Sequence, residues 1–581
     1  MNKFEQKIID SAKNGNFLEA LYEEYRKHIR ADDDLIQTLV QLHNQEKINI
    51  ISEFALLRNE KSSSNFFVIR NIFRNLLPLV NASVEDAKSC IKQLTIEAGN
   101  DMTSHDLILS FIEFCSADAS RVELLIEQEL EVIDDDFDHI STALISGYKL
   151  DKKTYFDKAI HLLNHTNSTV VQRVLFAFSR FDFTNEPELA AVATKEIITH
   201  TKNVQDEQIL PITISTLITL LSNFKELETD VIEFIESNIN NDTPEFLFKI
   251  AQQLNYRHDS LSEKAQQLLF SFFKNLDAKN IGIIEQIDWY IYKKISNNDA
   301  ITVAKLFEYL LDNNDELVQV DILSHSLQKI QEQECEEMLS VVFTKWLLKR
   351  EMIYCISAVK LVKTTTTHQI KIGFDKEQVK TEDLVYLANK SIGWLSFQPS
   401  AALSLIVSIL PMCSESEIQL IENKTFELIA LNYPSQTKAF LQEYSDSSDK
   451  NIVNFSENLI QQLESFLEEF NKIYEIQELR PSTRQRNEYA NYQQKLFDEA
   501  ASEPTESLFF SNLFTKKITL YGNKFIHKHK NPNGEMIRQV MPFSKMSHSI
   551  DFPSLANLAP HTQEYFLRLL KVEGLANETN P

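Results

Sequence analysis

The sequence predicts a mainly α-helical protein, a helical-repeat array of antiparallel helix pairs ending in a small α+β module. Three observations carry this. Glycine is scarce, nine of 581 residues, and proline numbers only 14. The positive-φ turns of a large β-protein and the phosphate loops of a nucleotide-binding enzyme therefore have little to be built from. Apolar residues recur at spacings of three and four through most of the first four-fifths of the chain. The connections between these stripes are short and rich in Asn, Asp, Ser and Thr, which cap helices and occupy turns.

Residues 1–475 read as the helical array. Val122, Ile126, Leu130 and Ile133 form one stripe, beside Glu123, Glu127 and Glu131. Leu261, Ala265, Leu268, Leu269, Phe272 and Leu276 form another, and Val303, Leu306, Phe307 and Leu310 a third. Residues 100–101, 164–167, 240–243, 296–299 and 312–315 punctuate the array, and Thr243-Pro244-Glu245 is a helix start. Residues 401–412 predict a buried core helix ending at Pro411, too short for a membrane span of about 20 residues. Helices of about 12–18 residues with short connections imply antiparallel pairs. Roughly 25 of them exceed what one core can serve, whereas stacked pairs need no common centre.

On helix length, pairing and turn composition, residues 1–475 resemble the HEAT/armadillo class of α-solenoids. The resemblance is architectural, without a recurring Pro, Asp and Arg at fixed offsets, and it implies an extended protein-binding surface. A compact multi-domain helical protein is the alternative built from the same elements. Residues 363–373, KTTTTHQIKIG, interrupt the array as an extended loop or short strand, with the irregular break near 363–375. Residues 476–504 form a polar helical linker with Arg480, Arg484 and Arg486, its helix starting near 487.

Residues 505–581 form the basic module. It comprises a strand at 518–521, a hairpin of 524–530 and 535–543 around the turn Asn531-Pro532-Asn533-Gly534, a short strand at 547–552 and a helix at 561–572. Between residues 511 and 550 seven cations face Glu535 alone, a net charge of +6. The whole chain carries −26, so the remainder carries −32. Lys516, Lys517, Tyr521, Lys524, Phe525, Lys528, Lys530 and Arg538 are therefore the expected docking residues, for an acidic protein surface or for nucleic acid. His527, His529 and His548 are weak metal candidates. Lys528 and Lys530 repel a cation there, and the module has no Cys to complete a zinc set.

Other chemistry-bearing patterns have structural readings. The Walker, GxGxxG, HExxH and GxSxG patterns are missing, and no cofactor is implied. Asp32–34 and Asp134–136 read as helix-boundary carboxylates rather than a Mg²⁺ site. Cys90, Cys115, Cys335, Cys355 and Cys413 read as small core residues, and Trp289, Trp346 and Trp394 as core anchors. Scattered cysteines and the lack of an apolar leader or span predict a cytoplasmic protein away from membranes.

The expected function is a non-enzymatic interaction scaffold or adaptor subunit. Its −32 body favours a basic partner or one presenting a helix, and nucleic acid would bind through the C-terminal module only. The alternative is a subunit of a bacterial defence or toxin-like system whose nucleic-acid-directed or catalytic part is that module; an exported effector is a third reading. Nothing in the sequence sets the oligomeric state.

Overall fold

A computed structural model describes most of residues 3–473, the longest omissions being 315–321, 363–369 and 374–379. Beyond these it describes chiefly 482–488, 524–530, 536–542 and 560–576. The chain divides into two compact units, Met1–Phe272 and Phe273–Pro581.

The first unit is helical along its described length: α1 (Lys3–Lys13), α2 (Phe17–Lys27), α3 (Asp32–Asn44), α4 (Ile50–Phe54), α5 (Ser64–Leu76), α6 (Val84–Ala98), α7 (His105–Cys115) and α8 (Ala119–Glu131). It continues with α9 (His139–Leu150), α10 (Lys152–Leu163), α11 (Ser168–Phe178), α12 (Pro187–Val204), α13 (Leu210–Asn223), α14 (Glu228–Glu236), α15 (Pro244–Arg257) and α16 (Glu263–Phe270). Short polar side chains start these helices as expected. Asp118 accepts from the Ser120 amide, Asp151 from Thr154, and Asn167 from Thr169. Pro244 opens α15 behind Thr243.

The second unit holds α17 (Ile281–Ser296), α18 (Ala300–Asn313), α19 (Ser324–Ile330), α20 (Glu336–Leu348), α21 (Met352–Lys360), α22 (Thr381–Trp394) and α23 (Pro399–Ile409). It continues with α24 (Glu415–Thr425), α25 (Pro434–Gln442), α26 (Lys450–Ile473), β1 (Lys524–Lys530), β2 (Met536–Pro542) and α27 (Pro560–Val572). In α23, Leu403, Leu405, Ile406 and Ile409 are fully buried, and the helix gives way to a 3₁₀ turn containing Pro411, as its sequence requires. Among the described residues no helix is long and apolar enough to cross a membrane.

Packing follows a repeating order. In the first unit α7, α9, α11, α13 and α15 pack on one another in turn, and α10, α12, α14 and α16 do the same. In the second, α18, α20, α22, α24 and α26 form such a series. Hydrogen bonds recur at matching separations: Ser146 Oγ donates to Ile112 O (34 residues), Gln253 to Ser215 (38), Tyr386 to Leu347 O (39) and Thr216 to Leu175 O (41). Helices that meet two places along the chain, at a nearly constant offset, are compatible with a helical-repeat architecture.

Several elements differ from the sequence reading. The 261–276 stripe contains only an eight-residue helix, α16. Ser271 ends it by folding its hydroxyl onto Leu268 O at 2.6 Å, while Phe272 and Leu276 stay buried in the following turns. On α8 the buried face is Val122, Leu125, Ile126 and Glu129, and Leu130 is turned outward. Trp346 is a core anchor, but Trp289 is 38% exposed. Its indole stacks on His325, whose amide and Nδ1 both bond to Asp288. All five cysteines are buried thiols.

Within the break at 363–375, residues 370–373 form neither helix nor strand and lie between α20 and α23. Lys371 N donates to Ser340 Oγ (3.1 Å), Ile372 N to Ser408 Oγ (2.9 Å) and Gly373 N to Thr344 Oγ1 (3.1 Å), while Ser404 Oγ donates to Ile370 O (3.0 Å). Helix hydroxyls thus satisfy a backbone that has no strand beside it. Residues 483–488 are helical, earlier than 487, because Ser482 and Gln485 bond reciprocally across the first turn. The helix expected at 561–572 is α27, and it packs on α22.

Candidate functional site

The expected docking residues centre on the β1–β2 hairpin. Lys516, Lys517, Tyr521 and His548 lie outside the described residues. The strands are antiparallel, with Lys524 opposite Pro542, Ile526 opposite Val540, Lys528 opposite Arg538 and Lys530 opposite Met536. Because alternate residues of a strand belong to alternate faces, positions 524, 526, 528 and 530 share one face with 536, 538, 540 and 542. Four cations, Lys524, Lys528, Lys530 and Arg538, thereby fall on one face of the ribbon. Phe525, His527 and His529 fall on the other, opposite Met541, Gln539 and Ile537.

Lys528 and Arg538 occupy directly opposed positions in the register. Segregation of the cations was legible in the alternation of KFIHKHK. The facing of Lys528 by Arg538 required the register.

The first unit contains a buried ionic network that no sequence motif announces. Glu129 on α8 is completely buried and pairs with Lys88 of α6 and, at 3.6 Å, with Arg173 of α11. Arg173 also lies 3.8 Å from Asp138, the residue that caps α9 by accepting from the Ser141 amide at 2.9 Å. Lys92 pairs with Asp134 at 2.7 Å. Burial raises the Asp138 carboxyl pKa and lowers that of His139 to about 4. His139 stacks against Phe137, and its buried Nε2 has no hydrogen-bond partner. Each carboxylate here is engaged by cations or helix amides, so the network ties α6, α8, α9 and α11 together. Asp138, rather than the acidic run 134–136, supplies the cap. Among the described residues no three His, Cys, Asp or Glu side chains group as a metal site.

No family model matches the chain, and no curated protein matches it. Among solved structures it is similar to the crystal structure of an engineered protein from a structural genomics consortium, at 12% identity. That likeness covers 80% of this chain and 99% of the other, with a TM-score of 0.18. A score this low carries no argument about the fold.

Proposed function

We propose that this chain is a non-enzymatic interaction scaffold, an α-solenoid of the HEAT/armadillo kind that binds a protein partner and docks through its C-terminal hairpin. The observation that carries the reading is the register, which gathers Lys524, Lys528, Lys530 and Arg538 on one face. A ribbon so charged is stabilised by an anionic counterpart, and the rest of the chain repels other polyanions through its negative charge. The repeating helix order supports the array, because such stacks present long surfaces without requiring a pocket.

Affinity purification of the full chain from its native cells at low salt tests this, beside the variant Lys524→Glu, Lys528→Glu, Lys530→Glu. The expected result is a defined protein partner recovered with the native chain and lost with the variant. Recovery of nucleic acid instead, released steeply by salt, moves the conclusion to a nucleic-acid-directed subunit. Failure to recover a partner, or a partner indifferent to the charge reversal, overturns the docking role.

A further inference from the structure

The second unit contains a site built around the end of α27. That helix finishes at Val572, and Gly574 follows in the left-handed region at φ 74°. Such an ending leaves the carbonyls of the last turn without partners inside the helix. Lys390 of α22 is completely buried, and its ammonium donates to two of them, Leu570 O at 2.8 Å and Lys571 O at 2.6 Å. A cation at a helix C-terminus also meets the negative end of the helix dipole.

The neighbouring residues fit the same ending. Gly393, one turn along α22, leaves room for the backbone of α27: a Cβ there would lie 3.0 Å from Lys571 N and 3.1 Å from Leu570 C. Arg350 takes φ 58°, a conformation uncommon without glycine. In it, Arg350 O accepts from Ala576 N at 2.8 Å, and its guanidinium donates to Gly574 O at 3.3 Å and to Asp383 at 2.8 Å. The guanidinium also covers Tyr386 at 4.2 Å, and Tyr386 lies against Gly574. A strained residue that contacts the tail through both backbone and side chain marks a site shaped for it.

A narrow apolar contact along α22 joins this recognition of the end of α27. Leu567 and Leu570 are its two buried apolar residues, whereas Tyr565, Phe566, Leu569 and Val572 are 61, 47, 40 and 50% exposed. Residues 474–559 separate it from α26 along the chain, a length of sequence sufficient to reach a second copy. Release would also rehydrate the Lys390 ammonium, which burial has left poorly solvated.

We propose that Arg350, Tyr386, Lys390 and Gly393 form a binding site for a helix C-terminus, and that α27 is its exchangeable occupant: α27 of a second copy of this chain takes the same site in trans. The partner chemistry is specific: an amphipathic helix with leucines three apart near its end, followed by a residue in the left-handed conformation. An exchange of this kind links two copies without a new interface having to be built.

Two full-length variants test it. Leu570→Glu spoils the occupant and leaves the site intact, whereas Lys390→Met with Gly393→Leu spoils the site and leaves the occupant intact. The two are tagged differently, mixed, and captured through one tag, with circular dichroism confirming that each keeps its helical content. The expected result is capture of the complementary mixture at least about tenfold above either variant mixed with itself. Equal capture in all mixtures, or none up to millimolar chain, overturns the proposal. Should the double variant fold poorly, Gly393→Ala replaces it. Alanine favours the α22 helix itself while crowding Lys571 N, so its mixture with Leu570→Glu must still be captured above either variant mixed with itself. Equal capture in that mixture refutes the site.

Discussion

The Glu129 network offers the sharpest test of how the first unit is held together. Replacing Glu129 with Leu leaves Lys88 and Arg173 facing each other without their shared carboxylate; their side chains are 21% and 8% exposed. Breaking a buried ion pair by removing one partner costs about 3–5 kcal/mol, because the remaining charge stays desolvated. Lys88 can swing towards water, and Arg173 keeps its donation to Asp134 O and its approach to Asp138. Both place the expected loss near the lower end, about 3 kcal/mol. The double variant Lys88→Met, Glu129→Leu removes both charges of the buried pair and leaves Arg173 on Asp134 O and Asp138, so it should lose less than Glu129→Leu alone. Urea unfolding followed by circular dichroism measures the totals, and hydrogen exchange at α8, α9 and α11 locates them. A single-variant loss below ~1 kcal/mol, or a double variant worse than the single one, would show that the charges are not coupled as described.

Three further outcomes follow from other sites. His139 titrates at about 4 when folded and near its ordinary value of 6.5 when unfolded. The unfolded chain therefore takes up a proton first, and the first unit should lose stability as pH falls through that window; His139→Phe should flatten the loss in pH-dependent urea melts. Lys390 titrates at about 8 in the closed site against 10.5 unperturbed, mainly through burial, with Cys355 and Glu573 favouring its charge and Arg350 opposing it. Closure should therefore strengthen as pH rises from about 8 towards 10.5, seen as slower hydrogen exchange in α27 after correction for intrinsic rates, and Lys390→Met should remove the trend. Gly373→Ala would place a Cβ 2.3 Å from Val341 Cα and must push residues 370–373 off α20. A loss of about 1–3 kcal/mol and faster exchange in α20 are expected.

Helix identity was legible because its causes are local. The stripe of α18 and the caps at Asn167 and Asp299 depend on residues within one or two turns, so short windows of sequence contain them. Asn-Pro-Asn-Gly between alternating segments predicts the hairpin, and the spacing of its cations implies their gathering on one face. The early end of α16 was less visible, since apolar residues continue at helical spacing past Ser271.

The contacts that hold the end of α27 were illegible for a different reason. Lys390 reads as an ordinary helix lysine, and Arg350 as an ordinary residue after a helix. Their roles arise only when α27 arrives from 180 or more residues away. Glu129 is likewise one glutamate among several on α8 until α6 and α11 enclose it, with partners 41 residues before it and 44 after. The amino-acid order thus determined by itself that the chain is mainly helical, where many of its caps fall and how the charge is distributed along the chain. Tertiary structure alone decided which charges are buried and which helix end is held, because desolvation and backbone recognition depend on neighbours that no local window contains.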